Sequence, residues 1–225
     1  MEQADVNAEA ETKATEAAIP CATCAKIKCF TPPKGSDEKK TKEFADQLKE
    51  QQDAINEIPP EKLVENLDNY ANVGRGPGDA RARQNIRDKF LEERTADLNA
   101  KNLSKGKKAK EALSAAEAEA AREASTLDAI HTPDLGAGGD GTFSSRNSGM
   151  GNRSVNRSIG SQWGKDSRLD ALKEHANDAK RQGKKTNVKL EICPDKSGKK
   201  DGGAEPDSPV KVEPGVGDGS NGYGV

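Results

Sequence analysis

Apolar positions return at helical spacing in several stretches of this chain and alternate with polar ones near its end. From Thr41 to Ile58 the residues Phe44, Leu48 and Ile55 fall on one helical face, and Pro59-Pro60 stops that helix, because proline lacks the amide donor and crowds the preceding turn. Leu63, Val64, Leu67 and Tyr70 give a second helix one apolar face, and Gly74-Arg75-Gly76-Pro77-Gly78 reads as a turn. Asp79 is placed to cap a long third helix whose stripe is Ile86, Phe90 and Leu91. Ser104 to Lys110 is a lysine-rich joint. Glu111 to Ser125, rich in Ala and Glu, has high helix propensity but little to bury, and predicts a marginal surface helix. Leu169, Leu172 and Ala176 restore helical spacing between Arg168 and Lys180, and Val188, Leu190 and Ile192 alternate with Lys189 and Glu191 as a half-buried strand.

Between Leu127 and Lys165 the periodicity gives way to Gly, Ser and Asn, which favour loops whose backbone can approach a ligand closely. These elements predict an α+β fold: a predominantly helical single domain with a small β-sheet near the Gly-rich segment. The domain is expected over 29–193, after a flexible leader (1–28) that holds the start of a cysteine cluster. A Gly/Pro-rich tail (194–225), too poor in apolar residues to build a core, is expected to be disordered.

Composition narrows this picture. Of 225 residues, 32% are hydrophobic and 3% aromatic against 33% charged, so any core is small. The net charge of −2 rules out a global positive field, yet from Arg146 to Lys189 eleven Lys/Arg stand against four acidic residues. That segment is either a surface for nucleic acid or a solvated helix face. No apolar run is long enough to cross a bilayer, so membrane insertion is not expected. The acidic, Ala-rich first twenty residues lack the basic start and apolar stretch of a secretory signal, so export would need other machinery.

Cys21, Cys24 and Cys29 cluster early and Cys193 stands far away. Three thiolates and the distant fourth would suit structural zinc, but the far end lacks a second Cys-x-x-Cys, so zinc is not favoured over one or two disulfides; free buried thiols remain an alternative. Either bonded arrangement ties the start of the domain to its last strand.

The candidate chemistry lies in Ile130-His131-Thr132-Pro133-Asp134-Leu135-Gly136-Ala137-Gly138-Gly139-Asp140. Pro133 restricts Thr132 to extended conformations, so His131 and Asp134 are expected on a solvent-reachable turn with room for substrate behind it. An imidazole can take a proton from water near neutral pH, and a carboxylate can hold a divalent cation against a phosphate. This points to a hydrolytic centre with His131 as general base or metal ligand and Asp134 as ligand, magnesium being the expected cofactor. Asp128 and Asp140 are possible further ligands or turn residues. His175, the second of the two histidines, completes no catalytic set near it and reads as structural or exposed.

A second block, Met150-Gly151-Asn152-Arg153-Ser154-Val155-Asn156-Arg157-Ser158-Ile159-Gly160-Ser161-Gln162-Trp163, follows the first. Together the two resemble the polymorphic toxin type 15 family, the HxxD toxins, and the likeness extends upstream through Cys29-Phe30, Gln47 to Asn56 and Val73-Gly74-Arg75 to cover about 29–193. The resemblance implies a DNase delivered into rival bacteria, often by type VI secretion. Such an effector acts in the target cytoplasm and is held in the producer by a cognate immunity protein. It maps the functional pair onto His131 and Asp134. Toxins of this type usually end a longer protein bearing a delivery domain, and none fits before Cys21, so the chain is expected to be a short stand-alone effector or an excerpt.

Physically, Asn156, Ser158 and Gln162 would donate to phosphate oxygens, while Arg153 and Arg157 would neutralise charge on the scissile group. Arg75, Arg81 and Arg83 are further candidates to grip the strand. The plainer alternative makes Ile159 and Trp163 core and has Asn156 and Gln162 tie loops. The order His, Gly-Gly, Asn is also loosely similar to ββα-metal nucleases. Two other functions compete with the DNase: an RNA-cleaving toxin that uses His131 against the ribose 2′-hydroxyl, and a non-catalytic nucleic-acid or protein-binding module.

Overall fold

The computed structural model describes residues 25–194. Chain contacts divide at Cys193/Pro194, and the expected tail, Cys21 and Cys24 lie outside the described residues. In order come β1 (Ala25–Lys26), α1 (Glu38–Glu57), α2 (Pro60–Val73), α3 (Asp79–Ser104), α4 (Ala109–Ala124), β2 (Leu127–Ala129), β3 (Met150–Asn152), α5 (Arg153–Trp163), α6 (Arg168–Arg181) and β4 (Val188–Lys189). The expected class, helical α+β with little sheet, is what folds.

Local chemistry sets the boundaries. Asp37 caps α1 by accepting from the Lys40 amide at 2.8 Å, and α1 stops at Ile58 because Pro59 follows. Pro60 opens α2, where its missing amide costs nothing, and Gly74 ends it at φ 70. The periodic apolar faces then meet in one core. Phe44, Leu48 and Ile55 of α1 pack with Leu63 and Leu67 of α2, Val155, Ile159 and Trp163 of α5, and Leu172 and Ala176 of α6. Phe30 closes this core edge-on against Trp163, the ring centroids 5.0 Å apart.

Two expectations change. The Ala-rich segment is no marginal surface helix: Ala112, Ala116, Ala120 and Ala124 form a buried stripe at four-residue spacing. Ala116 and Ala120 pack with Leu98 of α3, while Ala124 joins Phe90 and Met150. Alanine's small side chain lets the two helices approach, so burial comes from close backbone packing rather than from large residues. Arg94 and Glu123 clamp the pair with bonds of 2.7 and 2.8 Å. The second block, expected among loops, is helix α5. Asn152 caps it by accepting from the Ser154 and Val155 amides at 3.0 and 3.3 Å, and Val155, Ile159 and Trp163 recur every fourth residue on its buried face. Its Ser, Asn and Gly content hid that stripe.

Two small sheets frame the domain. β1 pairs in parallel with β4, Ala25 opposite Val188, and a bridge between Phe30 and Ile192 continues the pairing. Cys29 and Cys193 form a disulfide there with Cα atoms 4.9 Å apart, joining the start of the domain to its end. β2 pairs antiparallel with β3, Leu127 opposite Asn152 and Ala129 opposite Met150, and a bridge from His131 to Phe143 extends it. The hairpin runs directly into α5, so the order through the motif is strand, long loop, strand, helix.

Candidate active site

β2 delivers the motif into the domain. Ile130 is buried, and the next residue, His131, has a side chain only 6% exposed, so it is not on the solvent-reachable turn that Pro133 suggested. Its ring stacks on Phe143 with centroids 4.3 Å apart, and its Nε2 lies 2.6 Å from Oδ1 of Asp79, itself 7% exposed. Nδ1 is buried without a hydrogen-bond partner among the described residues. The Thr132–Pro133 peptide is cis.

The backbone of the motif is held by one buried side chain. Gln51 of α1 donates from Nε2 to the His131 carbonyl at 2.9 Å and accepts from the Asp134 amide through Oε1 at 2.6 Å. Asp134 turns its own Oδ1 to the Gly136 amide at 2.8 Å, starting a single helical turn. Its other oxygen faces Gly160 of α5, where a Cβ would sit 3.0 Å from Oδ2. Gly138, at φ 89, fits against α2 because a Cβ would fall 2.4 Å from Leu63 Cδ1.

His131 and Asp134 open onto a cavity of about 620 Å³ between the end of α2, the first turns of α3, β2 and α5. Tyr70, Arg75, Arg83, Arg87, Asp128, Asn156 and Arg157 line it with them. Carboxylates hold three of the arginines. Oδ2 of Asp79 accepts from Arg75 at 3.2 Å and from Arg83 at 2.9 Å, and Asp128 accepts from Arg153 at 3.0 Å and Arg157 at 2.8 Å. Burial pushes the Asp79 carboxyl up, but bonds from His131 and Arg75 and the Arg83 charge outweigh it and leave the group below its ordinary value. Asp128 is likewise raised by burial and lowered further by Arg157 and Arg153. The fourth arginine, Arg87, donates to the Ala124 and Leu127 carbonyls at 2.8 and 2.9 Å, fixing the turn into β2. Carboxylates thus orient three of the four arginines of the cavity.

A family model, Novel toxin 15, matches residues 38–193. The chain belongs to this family. The resemblance read from the two blocks therefore holds, and the chain carries a toxin domain. No curated protein matches it.

Of the residues expected at the site of this toxin domain, the cavity gathers His131, Asp134, Arg75, Arg83, Asp128, Asn156 and Arg157. Others lie elsewhere. Ser158 and Gln162 face the N-terminal segment: Gln162 accepts from the Thr31 amide and donates to the Thr31 carbonyl, both at 2.8 Å, and Ser158 donates to that carbonyl at 3.3 Å. Arg153 is turned to Asp128, and Asp140 is exposed and caps its own turn by accepting from the Thr142 amide at 2.9 Å. His175 accepts from the Asn187 amide at 3.3 Å. Cys29 and Cys193 spend their sulfurs on each other, so neither is left for zinc.

Sequence reasoning missed Asp79 and Gln51. Asp79 reads as a helix cap, yet Gly78 precedes the helix and no side-chain cap bond forms. Arg75 in the preceding loop and Arg83 one turn into α3 both pair with its Oδ2. Gln51 carries no local signal, because its partners lie 80 and 83 positions away.

A divalent cation can be tested against these donors. Among the described residues no three His, Cys, Asp or Glu side chains form a metal-holding group. Magnesium, however, is commonly held by one or two carboxylates completed by water and substrate phosphate. Asp134, whose Oδ2 makes no hydrogen bond among the described residues, is such a carboxylate, and Asn156, which lines the same cavity, carries an amide oxygen. These donors leave most of a magnesium ion's coordination to water and substrate phosphate, and they do not form a closed structural site.

Proposed function

We propose that this toxin domain hydrolyses DNA phosphodiester bonds. One observation carries the reading: a buried carboxylate–imidazole pair, Asp79 with His131, meets Asp134 at the edge of a cavity lined by four arginines. Arginine in such a pocket recognises phosphate, and the fork of Arg157 or Arg83 would take its non-bridging oxygens. With the strand seated, His131 accepts a proton from water as the water oxygen bonds to phosphorus, the P–O bond to the leaving sugar oxygen breaks, and solvent protonates that oxygen. Nε2 is committed to Asp79, so Nδ1 is the accepting atom, and substrate entry must open the ring edge at Nδ1, which is buried in this structure. Asp134, with Asn156 on the same cavity, would hold magnesium, whose charge would stabilise the attacked phosphate. His131 is thereby read as base rather than ligand.

The strand–loop–strand–helix order through the motif supports the likeness to ββα-metal nucleases as analogy only. The same reading places the domain in a rival's cytoplasm as a delivered effector, restrained by an immunity protein in the cell that makes it. No helix among the described residues is long and apolar enough to cross a membrane.

The test uses purified chain with supercoiled plasmid DNA and, in parallel, a structured RNA, each with magnesium or with excess EDTA. Loss of the supercoiled band with magnesium alone is expected. Full nicking in EDTA would sink the metal while sparing the nuclease, and cleavage of RNA with DNA intact would favour the ribonuclease.

A further inference from the structure

Asp79 lies 52 positions before His131 on a different element, and its place in its own helix does not account for what it does. A carboxylate in the first turn of a helix ordinarily accepts from the free amides there. This one gives Oδ1 to the His131 ring and Oδ2 to Arg75 and Arg83, and no α3 amide takes either oxygen. We propose that Asp79 is the positioning residue of the site: it fixes His131 in the tautomer with the proton on Nε2 and sets the plane of its ring, leaving Nδ1 as the basic nitrogen. The proposal rests on the reading of His131 as the base.

The geometry leaves the ring one freedom, and Asp79 removes it. Gln51 fixes the His131 carbonyl and Phe143 stacks on the ring face, so backbone and tilt are set. What remains is a flip about the Cβ–Cγ bond, which would exchange nitrogen for carbon at each edge. An ionised carboxylate accepts only, so at 2.6 Å the ring atom facing it is a protonated nitrogen. The two arginines on Oδ2 hold the carboxylate's own rotation, so Oδ1 stays on the ring. Both side chains are more than nine-tenths buried, which keeps water from competing for the bond.

The other edge of the ring separates positioning from plain structural bracing. A histidine that only ties elements together spends both nitrogens, because a buried polar atom without a partner is costly. Nδ1 of His131 is buried and, among the described residues, unspent. An imidazole with one nitrogen tied to a carboxylate and the other unspent is the arrangement that prepares a base.

The chain's two histidines make the test direct. In the full chain labelled with ¹⁵N-histidine, His175→Gln assigns the remaining ring to His131. In its neutral form, without substrate, the His131 ring is expected to show a pyrrole-like Nε2 and a pyridine-like Nδ1. Asp79→Asn and Asp79→Ala should replace that signature with a mixture of tautomers, and Asp79→Glu should restore much of it. On plasmid DNA, Asp79→Asn should lower kcat on the order of 100-fold with KM within about threefold, and Asp79→Glu should recover at least a tenth of wild-type kcat. A wild-type His131 protonated on Nδ1 overturns the proposal without any variant. So does an Asp79→Asn chain with wild-type spectrum and kcat. The spectrum is read without DNA, so it reports on Asp79 even if the chain cleaves none, in which case the nuclease reading fails and the positioning role stands.

Discussion

Gln51 and His131 meet across 80 residues of sequence, the Gln51 amide donating to the His131 carbonyl while its oxygen takes the Asp134 amide, so one side chain holds both ends of the motif. Replacing Gln51 with Leu keeps the bulk and strands the buried His131 carbonyl, worth about 1–3 kcal/mol, together with the part-buried Asp134 amide. Urea unfolding of Gln51→Leu should show a loss in that range or above it, and nuclease activity should fall further than stability alone explains. A variant as stable and active as wild type would show that the clasp does not hold the motif.

Gly160 gives a prediction of opposite character. Alanine in place of a mid-helix glycine ordinarily stabilises by up to about 1 kcal/mol, but here the new Cβ would press on Asp134 Oδ2 from 3.0 Å. Gly160→Ala is therefore expected to melt within a few degrees of wild type while its turnover of DNA drops at least about tenfold. Full activity would mean that Asp134 Oδ2 can move without consequence.

These residues also show what the sequence made legible. The faces built on Phe44, Leu63 and Leu172 were readable because large apolar residues at helical spacing have few other uses, and the pair His131 and Asp134 stood out by type and by the glycines around it. The α4 stripe was not readable, since buried and exposed alanines look alike until a partner helix is known. The cap role given to Asp79 followed from local rules and failed because its partner comes from another element. Ser158 and Gln162 belonged to a block whose likeness to the toxin family is real, yet on α5 they face Thr31, and only Asn156, Arg157, Gly160 and Ser161 turn toward the cavity. Which face a helix shows its site is a tertiary fact.

Acid should weaken the α3–α4 clamp. The Arg94 guanidinium bonded to Glu123 holds that carboxyl below its ordinary value, with the Arg94 and Arg122 charges adding to it against burial. Because the folded value lies below the unfolded one, the stabilisation is present above about pH 4.5 and is lost as pH falls through the folded value. In thermal melts from pH 7 down to pH 3, Glu123→Gln should melt below wild type at neutral pH and converge with it in acid. A constant gap would show that the carboxylate charge contributes nothing to the pair.

Reduction should loosen the end of the domain. The Cys29–Cys193 bond closes a loop spanning 164 positions, and removing a native disulfide costs about 2–5 kcal/mol in small domains. Cys29→Ser together with Cys193→Ser should melt several degrees lower and stay there when reductant is added, whereas wild type should fall toward it. An unchanged melting point would mean that the core around Phe30 and Trp163 holds the termini unaided.

Cleavage of supercoiled plasmid by near-isosteric variants measures most directly whether His131 and Asp134 carry out hydrolysis of DNA. Because His131 is buried, truncating it to alanine would confound chemistry with folding; His131→Gln and Asp134→Asn keep the volume. With magnesium present, wild type is expected to convert the plasmid to nicked and linear forms. Each variant should be slower by about 100-fold or more, the double variant little slower than either, and all should keep a cooperative melt. Folded variants that cut at the wild-type rate, or a folded wild type that leaves the plasmid intact, would contradict the account.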